Sequence, residues 1–440
     1  MSRVHTWCLI GCWGILAVWL PAAQAEDRQG LEDALFADGG GTTAAAEATP
    51  SALALVPEGK SVGFSGEITS AAVDLVSNSR DANSLYTYTV ANIYLDARLP
   101  RQAKVFADVE AMYLSQSKIT SVALQELFLD FNLAQSAYFR AGKQVLQWGR
   151  CYLWNPTDLI NVERPHFVRK IGSREGAYGL KMHIPFGTVL NIYDFLDTGS
   201  AQDADAVANA LKVEYLLGNF EIAVSGWGKK GHRPVWGLDF STRVFGIDTV
   251  GEVAVSQAAG QSRVRVEDGL LTAGEDDQAW YPRASLDFSR SFTVGDFKDR
   301  LTLTAEGYYD RSGYDKNVLA DGTVYDFALP AAAGPAVMAR GTIKDFINLQ
   351  QLYQPNYFSR GYVAVFAAFN RFLLPDAALS LNWIQNLVDN SNIVSLGVTY
   401  TELNGFTLGL LGNAYLGTTN SEYTSQGEKY DLQMTFGIAF

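Results

Sequence analysis

Charge is scarce in this chain. Of 440 residues, 18% are Asp, Glu, Lys or Arg, where soluble domains carry about a quarter. So low a share, beside 12% aromatics and 40 glycines, argues against surfaces that all face water. Cysteine is nearly missing: three residues, of which Cys8 and Cys12 fall within the first 25. Without that segment Cys151 stands alone and no intramolecular disulfide forms, so an exported protein must be held together by its backbone. After residue 25 no stretch approaches the roughly 18 apolar residues of a membrane helix. A membrane location therefore requires a closed barrel. The four histidines, His5, His166, His183 and His232, include no pair at metal-ligand spacing, and Cys151 has no His or Cys close by. Neither a G-x-S-x-G motif nor a phosphate loop occurs. No enzyme, metal or cofactor is implied, and a net charge of −13 disfavours nucleic acid as a partner.

What is present begins with a secretory signal over 1–25. Arg3 supplies the charge, Trp7–Leu20 the apolar run and Ala23-Gln24-Ala25 the cleavage site. A rival reading of Leu9-Ile10-Gly11-Cys12 as a lipoprotein box fits less well, because the apolar run continues past Cys12. Residues 26–59 start as a short acidic amphipathic piece with Leu31, Leu35 and Phe36, then become a Gly/Ala/Thr linker. This segment reads as a periplasmic tail, or as a small helix that plugs the barrel or docks a periplasmic partner.

From about residue 60 to the end, short segments alternate polar and apolar with period two. In the last, Tyr430, Leu432, Met434, Phe436, Ile438 and Phe440 share one face against Asp431, Gln433, Thr435, Gly437 and Ala439. Ile393–Tyr400 and Leu301–Tyr309 repeat the pattern. A soluble sandwich would pack the apolar face on a second sheet; a membrane barrel turns it to hydrocarbon and lines a lumen with the other. The turns decide between them. Short connections, as at Pro100-Arg101, Gly218-Asn219, Phe245-Gly246 and Asn404-Gly405, alternate with longer ones such as 148–175, 257–277 and 311–355. Two of the second set, near 229–231 and 387–391, are short. The expected fold is all-β: a transmembrane antiparallel up-and-down barrel over 60–440, of about eighteen strands with sixteen as the alternative, in the bacterial outer membrane. Its first partner is outer-membrane lipid.

The polar face of each strand gives the expected lumen. Its acids include Glu67, Asp96, Asp108, Glu110, Glu126 and Asp130 in the first strands. Glu214, Glu221, Asp239, Asp248 and Glu252 follow, then Asp287, Glu306 and Asp431. The bases are fewer: Arg98, Arg140, Lys181, Lys212, Arg283 and Arg360. Facing lipid at mid-plane, a base would cost about 2–4 kcal/mol and an acid somewhat less, which favours the inward assignment. An acidic, water-filled lumen favours cations or neutral solutes over anions. Lys143 does not fit, since Arg140, Gly142 and Gln144 share the other face; a bulge near Gly142 would turn it inward.

WGRCYLWNPTDLIN, residues 148–161, has the look of an active site but lacks a base, a metal partner and a second thiol, so Cys151 reads as incidental. Asn155-Pro156 reads as an N-cap with proline at the first helical position, which predicts a short helix over 156–162. Arg150, Trp154, Asp158, Arg164, Arg169, Lys170 and Arg174 then sit on a loop of basic character, attracted inward by the acidic wall. A second long loop, 311–355, holds a helix-like TIKDFINLQQLY that would lie as a lid over the outer mouth or offer a surface to partners.

Three resemblances add to this. The terminal strand ending in Phe440 resembles the recognition signal of bacterial outer-membrane proteins, which implies insertion by the barrel-assembly machinery. The long loop resembles the constriction loop of general and substrate-specific porins. FRAGKQVLQWGRCYLWNPTDLIN is similar to a stretch of poorly characterised porin families and of alginate-export-type barrels, which implies a transport pore. An exporter of an acidic polymer should have a basic lumen, and this one departs from that. The expected function is an outer-membrane channel for small solutes or an extended polymer, narrowed by 148–175. The competing class is a plugged barrel serving as a docking or structural component of a trans-envelope export system.

Overall fold

A computed structural model describes residues 62–77, 83–146, 148–161, 176–199, 201–202, 204–257, 262–274, 279–328, 338–401, 405–425 and 427–440. The readings of 1–25 and 26–59 fall outside these residues. The wall begins with β1 (Val62–Ser77), β2 (Ser84–Leu99), β3 (Ala103–Leu114), β4 (Ile119–Leu133) and β5 (Ala137–Gln144). It continues through β6 (Ala177–Phe186), β7 (Leu190–Asp197), β8 (Ala208–Leu217), β9 (Phe220–Lys229), β10 (Val235–Val244) and β11 (Ile247–Ser256). β12 (Arg263–Glu267) and β13 (Leu270–Gly274) leave the wall, and β14 (Tyr281–Val294) and β15 (Phe297–Asp310) rejoin it. β16 (Tyr325–Ala328), β17 (Met338–Gly341) and helix α1 (Ile343–Leu349) again lie outside it. β18 (Gly361–Asn370), β19 (Ala377–Asn386), β20 (Asn392–Thr401), β21 (Phe406–Leu416) and β22 (Glu428–Ala439) complete the wall.

The wall is one 18-stranded sheet of antiparallel neighbours. It closes where β22 pairs with β1, Ala439 opposite Glu67, with backbone bonds between Phe440 and Gly66 in both directions at 2.8 and 2.9 Å. Closure removes every free edge, so each wall strand has its backbone groups satisfied inside the sheet, as hydrocarbon demands. The alternation expected of the strands is present. On β22, Leu432 and Met434 are exposed while Asp431 and Gln433 are buried; on β15, Leu303 and Tyr309 are exposed while Thr304 and Glu306 are buried. A barrel with its apolar residues outside and its acids inside is a membrane-spanning one. The tight connections also match: Phe245 and Gly246 both take left-handed φ, 53° and 75°, as a two-residue turn between twisted strands requires.

One reading is corrected. Lys143 stays outside: its neighbours Leu127 and Tyr178 are both exposed. The bulge lies instead on β4, where Asp108 pairs with Glu126 and Val109 with Leu124, leaving Gln125 as the extra residue. The Leu124 carbonyl beside that bulge accepts from Lys143 Nζ at 2.6 Å. Arg360 stands just before β18, half-buried, its carbonyl accepting from Asp310 N–H at 2.8 Å and its Nη2 3.3 Å from Asp315 of the preceding loop.

The segments between β11 and β14 and between β15 and β18 build a small second sheet of four strands, β12-β13-β16-β17. Its core is Leu271, Val318, Leu319, Phe327, Ile343, Phe346, Ile347 and Phe358. The helix read in TIKDFINLQQLY is α1, started by a reciprocal capping box between Thr342 and Asp345.

Candidate functional site: a loop seated in the lumen

After β5 the chain turns into the barrel. Val145 N–H donates to Glu126 Oε1 at 2.8 Å. Leu146 and Trp148 then pack with Leu159, Ile160, Phe195 and Trp227 over the inward alanines Ala177, Ala208 and Ala210. Those small wall residues leave the depth the loop occupies. Gly149 belongs to the same fit: a Cβ there would lie 2.9 Å from Glu252 Oε2.

Wall carboxylates hold the loop by its backbone. Glu252 of β11 accepts from the N–H of Arg150, from Cys151 N–H at 2.7 Å, from Thr157 N–H at 3.0 Å and from Thr157 Oγ1 at 2.8 Å. Glu306 of β15 accepts from Leu153 N–H at 2.7 Å, Trp154 N–H at 2.8 Å and Ser285 Oγ at 2.7 Å. Hydrogen bonds to charged groups contribute about 1.5–3 kcal/mol each, more than neutral ones. Lys212 of β8 donates to the Trp148 carbonyl at 3.0 Å and lies 3.1 Å from Asp239.

The Arg150 side chain enters a nest of three acids. Nε is 2.5 Å from Asp239 Oδ1, and Nη2 bonds Glu214 and Glu221. Burial opposes its charge, and the carboxylates around it more than offset that, so it stays protonated. Burial likewise pushes the Cys151 thiol well above its usual range, with Glu252 and Glu306 adding to the effect; a thiol held protonated is no nucleophile.

Trp154 is fully buried. It stacks on Tyr308 with centroids 5.4 Å apart, contacts Tyr362 at 5.8 Å, and donates from Nε1 to the Asn356 carbonyl at 2.9 Å. Asp158 is buried too. The helix expected over 156–162 shrinks to a 3-10 turn, Leu159–Asn161. Asp158 N–H closes on Asn155 O at 3.1 Å and Leu159 N–H on Thr157 O at 2.8 Å, tighter pairings than the i to i+4 bonds of an α-helix. Arg164, Arg169, Lys170 and Arg174 lie outside the described residues.

Elsewhere the wall acids are partly matched. Arg140 chelates Asp130 at 2.7 and 3.1 Å, and Lys104 reaches Asp96 at 3.0 Å. Glu67 accepts from Tyr94 OH at 3.2 Å, and Asp431 from Asn413 and Tyr415 at 3.0 and 2.9 Å. Asp108 and Glu126 are cross-strand neighbours, as are Asp287 and Glu306, and Arg283 and Asp310. Lys181 is buried 6.0 Å from the Tyr193 ring, Glu110 is half-buried, and Arg98 is exposed near the short-turn end.

A second inward loop, between β21 and β22, meets the first and was not foreseen. Glu422, buried, accepts from Tyr362 OH at 2.7 Å, Asn386 Nδ2 at 2.6 Å and Asn356 N–H at 3.2 Å. Tyr423 OH donates to Asn356 Oδ1 at 2.7 Å. A lone acid among Ser, Thr and Tyr carries no signal by spacing. Burial pushes the Glu422 carboxyl up from 4.5 to about 8, against the Tyr362 bond and with Asp389 adding to the rise. A raised folded pKa stabilises fully below 4.5, and the contribution is lost as pH rises through about 8. Hydrogen exchange of 417–425 should therefore quicken between pH 6 and 9 more than intrinsic exchange does, and Glu422→Gln should flatten that dependence. An unaltered profile in the variant would refute the assignment.

No family model and no curated protein matches the chain. Its fold is similar to solved structures. These include Pseudomonas aeruginosa OccK8 (OprE), 9% identical at TM-score 0.51, covering 86% of this chain and 98% of that one. P. aeruginosa OccK5 (OpdH) is 8% identical at TM-score 0.50, with coverage of 86% and 98%. Acinetobacter baumannii OccAB3 is 8% identical at 0.50, with 86% and 99%. The chain shares with these structures the fold of a closed eighteen-stranded outer-membrane-type β-barrel.

Proposed function

We propose that the protein is a channel for small water-soluble solutes, with cations favoured, and that loop 148–161 sets the width of its path. The observation that carries this reading is the seating of that loop inside the wall, gripped through its backbone by Glu252 and Glu306 and through Arg150 by Glu214, Glu221 and Asp239. A segment anchored at so many points narrows a lumen without sealing it by chance contact. The acids it leaves unmatched favour positive charge in the remaining path.

Purified protein in a planar bilayer should give discrete steps of conductance. Under a salt gradient the reversal potential should take the sign of cation preference and weaken as salt rises and screening increases. A silent bilayer from protein that shows the heat-modifiable migration of a folded barrel would refute the channel. An anion preference would refute the selectivity alone.

A further inference from the structure

Three loops meet at Asn356, on the long connection between β15 and β18. The residue is buried, and its φ of 64° is left-handed, a region that asparagine tolerates better than most side chains. Its polar groups go to two other loops. The N–H donates to Glu422 Oε1 at 3.2 Å and Oδ1 accepts from Tyr423 OH at 2.7 Å, both on the connection between β21 and β22. The carbonyl accepts from Trp154 Nε1 of loop 148–161 at 2.9 Å. These bonds lie in one apolar cluster that includes Leu153, Trp154, Tyr357, Tyr362 and Tyr423. Lys344 of α1 ties the same two outer connections a second time, donating to Asn420 Oδ1 at 2.9 Å.

Polar bonds inside an apolar cluster resist piecemeal breakage. Trp154, Asn356, Glu422 and Tyr423 are all buried. If one loop left alone, the groups it had bonded would stay behind among aromatic rings without partners, which costs more than the bond itself contributes. If the loops leave together, all of these groups reach water at once and none is stranded. The anchors of Arg150 and Cys151 on the wall stand apart from this cluster and hold the first half of loop 148–161 separately.

We propose that Asn356 is a positioning residue of the constriction. Through it the second half of loop 148–161, the segment 354–360 and the loop 417–425 form one body that opens in a single step. Its effect on current rests on the reading of loop 148–161 as the constriction; the joining of the three segments does not. Two distant parts of the chain are thereby coupled: a change at Tyr423 alters the seating of Trp154, and a change at Trp154 alters that of Tyr423 by the same factor, as linkage requires.

Hydrogen exchange of the full chain in nanodiscs, read by mass spectrometry, tests this without any current. Trp154→Phe keeps an aromatic ring and loses the donor to Asn356. Tyr423→Phe loses only its hydroxyl, and Asn356→Gly keeps the left-handed backbone while losing the side-chain acceptor. Each should quicken exchange about tenfold, as expected for one buried hydrogen bond. The same factor should appear in 153–161, 354–360 and 417–425, with the wall strands and heat-modifiable migration unaltered. Tyr423→Phe and Asn356→Gly delete the same bond, so if one fails to fold the other decides. Quickening confined to the substituted segment, or absent from all three, overturns the proposal. In a planar bilayer Trp154→Phe and Tyr423→Phe should share one added conductance level, and two different levels would also overturn it. A silent bilayer would refute the channel and leave the exchange result standing.

Discussion

Glu252→Ala should raise single-channel conductance, because it releases the loop that lies in the lumen. The two oxygens of Glu252 take four bonds, from the N–H groups of Arg150, Cys151 and Thr157 and from the Thr157 hydroxyl. At about 1.5–3 kcal/mol for each bond to a charged group, and allowing for water that replaces them, the loss is on the order of 5 kcal/mol. About that much free energy carries a two-state population from 1:99 to 99:1. The released loop should then be a main species, and current traces should flicker between the native level and a higher one. Trp154 keeps its seat through Glu306, Tyr308 and Asn356, so the single variant should loosen only the first half of the loop. Glu252→Ala with Glu306→Ala should hold the upper level steadily. Glu252→Gln, which retains an acceptor of similar shape, should fall between. If the single and double variants fold and conduct like the parent, the loop does not define the path.

These two carboxylates show where a sequence stops being informative. Period-two alternation places Glu252 and Glu306 on the polar face of their strands without ambiguity, because lipid allows only one face to be charged. Alternation says which way a side chain points, not what stands opposite it at that height. The loop they hold comes from about a hundred and a hundred and fifty residues earlier in the chain, and no local pattern encodes such a meeting. The Asn-Pro start of a helical turn was legible, yet the chain there closes through tighter bonds, Asp158 N–H to Asn155 O and Leu159 N–H to Thr157 O, into the 3-10 turn Leu159–Asn161. Arg360 has the parity of the inward residues of β18 and stands at the strand's outer end, 3.3 Å from Asp315. Lys143 was the reverse case. A bulge was needed, and it occurs one strand away at Gln125, so the lysine remains outside and spends its ammonium on the Leu124 carbonyl. The strand number was readable because short turns and long loops alternate around a closed wall, a property of the whole chain and not of any one segment.

Arg150→Ala should make the channel more cation-selective. The guanidinium stands among Glu214, Glu221 and Asp239, and Lys212 also lies 3.1 Å from Asp239. Removing Arg150 takes one positive charge out of this cluster of acids and makes it more negative. Arg150 is partly open to the lumen, with 18% of its side chain exposed, so a passing ion feels the change. At 4 Å a unit charge acts on an ion with about 1 kcal/mol even at the dielectric of water. A cation gains and an anion loses by that amount, so their permeability ratio should rise several-fold at low salt and less at high salt. Loop position is the competing cause, since the same side chain also anchors 148–161. Arg150→Lys separates the two: it keeps the charge but cannot match the forked geometry, so it should preserve selectivity while conductance rises. Guanidinium ion offers a further check, because the vacated nest in Arg150→Ala retains the acceptors that held the side chain. Added guanidinium should block the variant more strongly than the parent and return its selectivity towards the parental value. A variant that moves towards anions, or that ignores guanidinium, would show that Arg150 acts only as a mechanical tether.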